Sequence, residues 1–355
     1  MPKPSDQLSD QNSSNTLTQS TDLPMRIGMG QFMALDKKRL QFIKQLGIND
    51  IILNFYHLSF DYPQFPGDEP PLSPDNAWSY NDLTNLREDI ERAGLRLAGI
   101  ENVPISFYDK IILDKDGQEE QMETMKTTLR NMGEAGIPVF GYHWMPSGVW
   151  RSGSAKVRGG AETTAFNLTD IDQTLTHERE YTEKDLWDSY EYFLKELLPI
   201  AEDNGLKMCI HPNDPPVKKL GGIPQLFRSF DAFKRAMEIV PSDNHGLILC
   251  LGCWSEMGED IQHAIQYFGE RNKIFYVHFR DVSGVVPSFH EDFVDEGNFD
   301  THEIMKLIHE TGFEGVIIPD HVPKMVDDTD WGHRGRAHAV GYINALIHEN
   351  NTIKD

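Results

Sequence analysis

Residues 202–211, EDNGLKMCIH, contain the pattern that predicts the fold: a polar helical segment ends at Gly205, and a short apolar run follows at once. A glycine just past a helix can adopt the left-handed backbone conformation that stops the helix. A run of about four to six apolar residues after it is typical of a strand that is buried on both faces. The same pattern recurs around the glycines Gly47, Gly94, Gly136 and Gly312.

Extended along the chain, this pattern predicts eight strands that alternate with eight helices. The strands fall near residues 26–30, 50–54, 96–101, 137–142, 206–211, 246–250, 274–279 and 315–320. The helices fall near residues 34–46, 81–93, 119–135, 182–204, 230–240, 257–268, 300–311 and 334–349. Alternation favours a parallel sheet, and eight repeats favour a single closed (β/α)₈ barrel, an α/β fold of the TIM type. An open doubly wound sheet is the alternative, but the sequence lacks the glycine-rich phosphate loop that such a sheet carries after an early strand.

The predicted barrel domain covers residues 25–355, and a short polar segment precedes it. Residues 1–24 are rich in Ser, Thr, Gln, Asn and Asp, which predicts a disordered tail without the apolar core of a secretory signal. The chain is longer than a minimal barrel by roughly 100 residues. We assign the excess to strand-to-helix loops near residues 60–80, 143–181, 281–299 and 321–333, on the face where barrels build their active sites.

The composition argues against several classes of partner. The 56 acidic and 33 basic residues give a formal net charge of −23, which is unfavourable for binding nucleic acid or an anionic membrane. No apolar run reaches the roughly 18 residues of a membrane helix. The three cysteines form no regular framework, which favours a reducing compartment, so we expect a cytoplasmic protein. A small anionic substrate is not excluded, because it needs only a local positive site.

Ligand-type side chains end the last four predicted strands. They are His211, Cys250, His278 and Asp320. Neighbouring strand ends converge at the mouth of a barrel, so these side chains should meet there. Two imidazoles, a thiolate and a carboxylate suit either a closed zinc site or a catalytic Mn²⁺, Fe²⁺ or Zn²⁺ that keeps positions open to substrate. Taken singly, each residue has a structural explanation, and Cys250 could also form a redox pair with Cys253.

Other polar residues near the strand ends are candidates for substrate binding or proton transfer. Arg280 lies two residues after His278, on the same side of the strand, and could hold a substrate carboxylate bidentately. A salt bridge to Asp281 or to a neighbouring loop is the alternative for Arg280. His290, in the loop after the seventh strand, could transfer protons or could belong to a solvated loop. The further candidates are Glu101, Tyr142, His143, Glu291 and His321.

The motifs that contain these residues resemble those of the mannonate dehydratase family. They are IENVPI from Ile100, TLRNMGEAGI from Thr128, YHWMP from Tyr142, HPNDPP from His211, LCLG around Cys250, VHFRDV around His278, SFHE through Glu291 and PDH at Asp320. The resemblance runs in order from about residue 26 to residue 350 and covers nearly the whole barrel. It implies a xylose-isomerase-like barrel and a hydro-lyase of hexuronate catabolism that converts D-mannonate to 2-keto-3-deoxy-D-gluconate with Mn²⁺ or Fe²⁺.

The resemblance also implies roles for individual residues. The family's metal ligands carry over onto His211, Cys250, His278 and Asp320. A metal-bound water, His290 or His143 would assist the leaving hydroxyl, and Arg280 would stabilise the negative charge of an enediolate. The family's proton-transferring tyrosine aligns with Trp331, which cannot transfer a proton, and His333 or His338 could take its place.

Three functions remain open at the level of the sequence. The first is dehydration of D-mannonate or of another aldonate. The second is isomerisation or epimerisation of a free sugar, although such sites usually lack a thiolate, and Cys250 and Arg280 favour an acid substrate. The third is non-catalytic binding of a metal or a sugar acid, which Trp331 leaves open. A homodimer is an expectation from analogy with other barrels of this size.

Overall fold

A computed structural model of the protein describes residues 24–56 and 71–352. The predicted tail over residues 1–24 lies outside the described residues except for Pro24, and so does the first half of the predicted loop 60–80. The strands are β1 Arg26–Met29, β2 Asp50–Asn54, β3 Arg96–Glu101, β4 Val139–Tyr142, β5 Gly153–Lys156, β6 Glu162–Asn167, β7 Lys207–Ile210, β8 Lys219–Leu220, β9 Ile223–Pro224, β10 His245–Cys250, β11 Ile274–His278, β12 Val282–Val285, β13 Ser288–Glu291 and β14 Val316–Ile318.

The helices alternate with the barrel strands, as predicted. They are α1 Lys37–Gln45, α2 Tyr80–Arg92, α3 Asp109–Ile112, α4 Gln118–Glu134, α5 Glu183–Asp203, α6 Phe230–Ile239, α7 Leu251–Met257, α8 Ile261–Gly269, α9 Thr301–Glu310 and α10 His333–Thr352. The five glycines named above have φ angles between +63° and +77°, the left-handed conformation that ends a helix. At the other end of α5, the Thr182 hydroxyl accepts from the Asp185 N–H in a capping box.

Eight parallel strands form the closed barrel, in the order β1, β2, β3, β4, β7, β10, β11 and β14. Arg26 of β1 aligns with Val316 of β14, and this pairing closes the circle. The predicted (β/α)₈ barrel is therefore confirmed, and no barrel strand deviates by more than two residues from its predicted bounds. Within the described ranges, no helix has the length and apolar character that crossing a membrane demands.

Two apolar layers hold the barrel together. A small cluster fills the interior, and its members are Ile52, Cys209, Ile248, Phe275, Tyr276, Val316 and Ile318. A much larger cluster lies between the strands and the surrounding helices. The interior is narrow at Gly141, where an added Cβ would lie 2.3 Å from the Tyr276 hydroxyl oxygen. The side chains at the carboxyl ends of the strands therefore project from a rigid, filled support.

The long loops at the mouth of the barrel contain a second sheet, which the sequence analysis did not predict. Strands β12, β13, β6 and β5 pair antiparallel in that order, and we call them the mouth sheet. Phe166 and Phe289 of this sheet pack with Val217, Leu220 and Val282 in a small apolar cluster of their own. The mouth sheet thus covers the end of the barrel at which the predicted site residues lie.

Candidate active site

A cavity of about 900 Å³ opens at the carboxyl ends of the barrel strands, beside the mouth sheet. This volume falls in the usual range for small-molecule sites. The lining includes Gln31, Asn54, Tyr56, Glu101, His143, Arg151, His211, Asp214, Glu291, Asp320, His321, Lys324, Trp331 and Arg336. Most of these side chains are polar or ionisable, so the cavity suits a hydroxylated and charged ligand better than an apolar one.

Three of the predicted metal ligands meet at the cavity floor. One ligand atom each from His211, Cys250 and His278 lies within 4.8 Å of the other two. The Nδ1–H of His211 donates to the Pro212 carbonyl at 2.7 Å, so Nε2 is the nitrogen left to bind a metal. Burial alone would raise the pKa of the Cys250 thiol, but contacts with Cys253, Arg280 and His211 hold that pKa well below its ordinary value. The thiolate that a metal requires is therefore favoured at Cys250.

A hydrogen bond at Nε2 orients the imidazole of His278, and its Nδ1 remains available to a metal. Its Nε2 lies 2.8 Å from the Glu101 carboxylate, so Nε2–H is the donor of that hydrogen bond. Its Nδ1 is buried and has no hydrogen-bond partner among the described residues, and the Asp320 carboxylate lies 3.6 Å away from it. A carboxylate that fixes the outer nitrogen of a ligating histidine is a usual feature of metal sites. The orphaned Nδ1 and the adjacent thiolate and carboxylate therefore fit a divalent transition metal.

Arg280 does not reach the cavity, contrary to the prediction that it binds a substrate carboxylate. The side chain is 1% exposed, and every guanidinium N–H donates to the protein. Its acceptors are Asp320, Glu256, Glu291, Asp214 and the Cys253 thiol. The alternative, a structural ion pair, agrees with this geometry, although Asp281 is not one of the partners. Arg280 positions the carboxylates around the site and has no N–H left for substrate.

Tyr142 is likewise turned away from the cavity, contrary to its predicted contact with substrate. Its hydroxyl lies 2.9 Å from the Tyr190 hydroxyl and 3.1 Å from the His245 Nε2, in the layer between the barrel and α5. Successive side chains of a strand point in opposite directions, and the next residue, His143, lines the cavity instead. His143 thus lies where the sequence predicts a proton-transfer group.

Two other predicted catalytic residues are not among the described side chains that line the cavity. His290 and Glu291 are neighbours on β13, and it is Glu291 that faces the cavity while His290 points to the other face of the mouth sheet. His333 begins α10 and packs against Phe42 and Trp331, with ring centroids 4.8 Å apart in each case. The reason is the same for both: the sequence locates the segment but not the direction of the side chain.

Glu291 and His321 form a pair in the cavity wall. The Nδ1 of His321 lies 2.7 Å from the Glu291 carboxylate oxygen, and the longer contact of the same nitrogen with Arg151 is 3.4 Å. The short contact to an acceptor indicates that Nδ1 carries a proton. Burial lowers the pKa of His321, but the Asp320 and Glu291 carboxylates outweigh burial and raise it above its ordinary value. Burial raises the pKa of Glu291, but Arg280, His321 and Arg151 outweigh burial and lower it to about 2. Glu291 is therefore a carboxylate at neutral pH.

Two arginines that the sequence analysis did not single out contribute to the cavity. Arg151, just before β5, donates to Asp214 at 2.5 and 2.9 Å and to Glu291 at 2.8 Å. Arg336, in the first turn of α10, is 6% exposed and bonds backbone carbonyls. Arg336 lies five residues after Trp331, inside the segment where the family resemblance places a functional tyrosine. That resemblance could have identified Arg336 as a candidate site residue.

A closed barrel with these ligand-type side chains at its strand ends defines a TIM-barrel enzyme of the xylose-isomerase-like class. The fold resembles that of a xylose isomerase domain protein from Alicyclobacillus acidocaldarius subsp. acidocaldarius, with a TM-score of 0.61 and 12% identity over 92% of this chain and 99% of that chain. It also resembles an L-ribulose 3-epimerase, with a TM-score of 0.58 and 16% identity over 92% of this chain and 95% of that chain. Identities this low demonstrate the fold alone.

Closer relatives define the family. The sequence profile described as D-mannonate dehydratase (UxuA) matches residues 25–176 and 155–354. The crystal structure of mannonate dehydratase from Streptococcus suis serotype 2 has a TM-score of 0.81 and 28% identity, over 92% of this chain and 93% of that chain. Mannonate dehydratase 2 from Halalkalibacterium halodurans is 29% identical over 343 residues, which are 88% of this chain and 93% of that protein. The chain therefore belongs to the D-mannonate dehydratase family, and the predicted family is confirmed.

Proposed function

We propose that this chain is a metal-dependent hydro-lyase that dehydrates D-mannonate to 2-keto-3-deoxy-D-gluconate. The observation that carries the proposal is the cluster of His211, Cys250 and His278 beside Asp320, at the floor of a polar cavity in a member of this family. The chemistry requires removal of the proton at C2, loss of the hydroxyl at C3 and tautomerisation of the resulting enol to the 2-keto acid.

His211, Cys250, His278 and Asp320 would hold the metal, and Mn²⁺ or Fe²⁺ is our assignment. Imidazole, thiolate and carboxylate ligands suit Fe²⁺, Mn²⁺ and Zn²⁺, so reconstitution with each ion decides among them. When bound, the ion would supply Lewis acidity at substrate oxygens. Glu101 holds the His278 ring by a hydrogen bond of 2.8 Å, and Arg280 holds the Asp320 carboxylate by one of 2.9 Å. Both residues thereby orient ligands, and Glu101 also lines the cavity.

His321 and His143 are arranged for opposite proton transfers. The Nδ1–H of His321 bonds Glu291 at 2.7 Å and orients the ring, so Nε2 of the deprotonated imidazole suits a general base for the C2 proton. In His143, Nδ1 accepts the Met145 N–H at 3.2 Å, so the neutral ring carries its proton on Nε2 and suits a donor to the leaving hydroxyl. Two imidazoles therefore line one cavity, one oriented to accept a proton and the other to donate one, and Trp331 need not transfer a proton.

The decisive experiment is a turnover assay on protein reconstituted anaerobically with Mn²⁺, Fe²⁺ or Zn²⁺. Formation of a 2-keto-3-deoxy acid from D-mannonate, abolished by a chelator, is the expected result. D-Gluconate and other aldonates are assayed in parallel as alternative substrates. A ketose epimerisation assay tests the alternative function, isomerisation or epimerisation of a free sugar. Turnover of a free sugar without turnover of any aldonate would refute the proposal. Metal retention without turnover of either class would indicate a binding protein.

Matched variants separate the metal ligands and the base from their neighbours. Cys250→Ser should lose most of its metal by elemental analysis. Cys253→Ser should keep it, because Cys253 contacts Cys250 and Arg280 without being one of the clustered ligands, and a serine hydroxyl can still donate to Cys250. His321→Gln should lower kcat by roughly 10²–10⁴-fold with its metal retained, the usual contribution of a general base. His290→Gln, which changes a side chain on the other face of β13, should retain its activity. If His290→Gln lost activity and His321→Gln retained it, the assignment of His321 as the base would be overturned.

The cellular setting is also a proposal. The cysteines Cys209, Cys250 and Cys253 are free thiols, and a thiolate ligand is retained best where thiols stay reduced. This supports action in the cytoplasm on a small sugar acid. A homodimer is our expectation for the quaternary state, and light scattering on the purified chain measures it directly.

A further inference from the structure

The cationic side chains of the cavity differ in whether a carboxylate already balances their charge. Arg151 pairs with Asp214 and Glu291, and His321 pairs with Glu291. Lys324 pairs with Asp330 at 2.6 Å. Arg336 makes no ion pair with any residue in the described part of the chain, although it lines the same cavity. Among these described cations, it is therefore the one that no carboxylate contacts directly, although Asp320 and Asp328 act on its charge at longer range.

The guanidinium of Arg336 is held firmly on one side and open on the other. Its Nε–H donates to the Trp331 carbonyl at 2.9 Å, and Nη1 donates to the carbonyls of Pro319 at 3.2 Å and Asp320 at 2.8 Å. Its plane lies near the Trp331 indole, with 4.9 Å from Cζ to the ring centroid. Nη2 makes no hydrogen bond with the described residues. Burial lowers the pKa of Arg336 to about 10, so the group remains a cation at neutral pH.

The charges of the site explain why such a cation is needed. A thiolate at Cys250 and a carboxylate at Asp320 would together offset the two positive charges of a divalent ion. Asp214 and Glu291 already hold Arg151 and Arg280 in ion pairs, so neither arginine offers its charge to a ligand. An anionic ligand that entered would be repelled unless a fixed cation faced it, and a guanidinium is well suited to bind a carboxylate.

We propose that Arg336, and not Arg280, binds the carboxylate of the sugar acid. This inference rests on the proposed function and adds to it the residue that selects an acid over a neutral sugar. Arg336 bonds the carbonyl of Asp320, the residue directly before His321. A carboxylate held there would present its neighbouring C2 to the cavity that His321 also lines. The indole of Trp331 supports the guanidinium, which gives this residue a positioning role where the family is expected to carry a tyrosine.

A purely structural role for Arg336 predicts a different outcome, and binding measurements distinguish the two. Metal-loaded wild type, Arg336→Met and Arg336→Lys are titrated calorimetrically with D-mannonate and with D-mannonamide, its uncharged analogue. Arg334→Met, a change on the exposed face of the same helical turn, serves as the matched control. Loss of a charge-assisted hydrogen bond should weaken binding of the acid by roughly 10- to 100-fold in Arg336→Met. Binding of the amide should change by less than about threefold.

Each result of this experiment decides the question. Selective loss of acid binding, with metal content retained and partial recovery in Arg336→Lys, supports the assignment. Equal loss for acid and amide, or no loss for either, overturns it and leaves Arg336 as a support for the backbone at Asp320. The proposed function fails separately: if wild type binds another aldonate but does not dehydrate D-mannonate, the same comparison is run with that aldonate and its amide. Wild type that binds no aldonate overturns both proposals.

Discussion

The buried charge of Arg280 gives this residue a structural role, because carboxylates surround its guanidinium. It is 1% exposed and donates to Asp214, Glu256, Glu291 and Asp320. We expect Arg280→Met to lower the free energy of unfolding by about 3–5 kcal/mol, because removing one partner of a buried ion pair leaves charges uncompensated. Urea unfolding of the metal-free protein measures this value.

Arg158→Met is the control for that substitution. Arg158 pairs with Asp295 at 2.9 Å, but its side chain is 40% exposed, and exposed pairs contribute about 0–1 kcal/mol. An Arg280→Met protein as stable as the Arg158→Met protein, with a selective defect in binding D-mannonate, would show instead that Arg280 serves substrate.

The sequence predicts which residues are at the strand ends more reliably than which way their side chains point. His211 directly follows β7, and Cys250 and His278 end the adjacent strands β10 and β11, so the topology alone brings them together at the mouth. The direction of each side chain depends on the local backbone conformation where the strand ends and the loop begins. This is why Tyr142 faces α5 while His143 faces the cavity. The sequence could not reveal the buried acceptors of Arg280 either, because Asp214, Glu256 and Glu291 come from different elements.

Among the elements, the mouth sheet was the least predictable. Strand β5 is largely exposed and contains small residues, so it lacks the apolar run that identified each barrel strand. The barrel strands were predictable because burial on both faces leaves a continuous apolar signal. The mouth sheet forms through pairing between segments about 120 residues apart, as between Phe166 and Phe289, and local patterns do not encode such pairings.

The hairpin of β12 and β13 is predicted to support the cavity without supporting the barrel. Phe289 packs against Phe166 with a centroid distance of 5.6 Å, and the Arg151 guanidinium lies 5.4 Å from its ring. We expect Phe289→Ala to raise the KM for D-mannonate and to speed hydrogen exchange of the mouth-sheet amides, while exchange of the barrel core stays unchanged. Val285→Ala, at an exposed position of the same hairpin, is the control, and global unfolding of the Phe289→Ala protein would contradict the prediction.

The contact of β4 and β10 with α5 should make stability depend on pH. The Nε2 of His245 lies 3.1 Å from the Tyr142 hydroxyl and 3.2 Å from the Tyr190 hydroxyl, and burial lowers the pKa of His245 to about 3. The unfolded chain has the ordinary pKa of about 6.5, so below that pH the unfolded state takes up a proton that the folded state does not. Stability is fully present above pH 6.5 and falls by about 1.4 kcal/mol per pH unit as the pH decreases toward 3.

The variant His245→Gln tests this pH dependence. Unfolding free energies of metal-free wild type and variant are compared at pH 7 and pH 5. Wild type should lose about 2 kcal/mol more than the variant over this interval, since the other titrating groups are common to both proteins. Equal losses would mean that His245 is protonated in the folded state, or that it is not desolvated as the structure indicates.

At the scale of the whole molecule, the site joins parts of the chain that are distant in sequence. The metal cluster connects β7, β10 and β11, and Asp320 follows β14, so one ion would link the ends of strands across half the barrel. The formal net charge of −23 gives a second reason why a bound cation should stabilise the fold, because self-repulsion within so acidic a chain opposes the compact state. A bound cation therefore stabilises the folded state both by binding it and by neutralising part of its negative charge.

Metal removal is accordingly predicted to lower the thermal stability of the entire barrel. A ligand that binds only the folded state adds about 2.7 kcal/mol when present at 100 times its Kd. For a chain of this length that corresponds to a rise in Tm of roughly 4 °C. Scanning calorimetry of Mn²⁺-loaded protein with and without chelator should reveal a single transition that shifts by this amount. Cys250→Ser should respond weakly, because it lacks the thiolate. If wild type and Cys250→Ser shift equally, the stabilising ion is bound elsewhere on the acidic surface, and the cluster of His211, Cys250 and His278 is not its site.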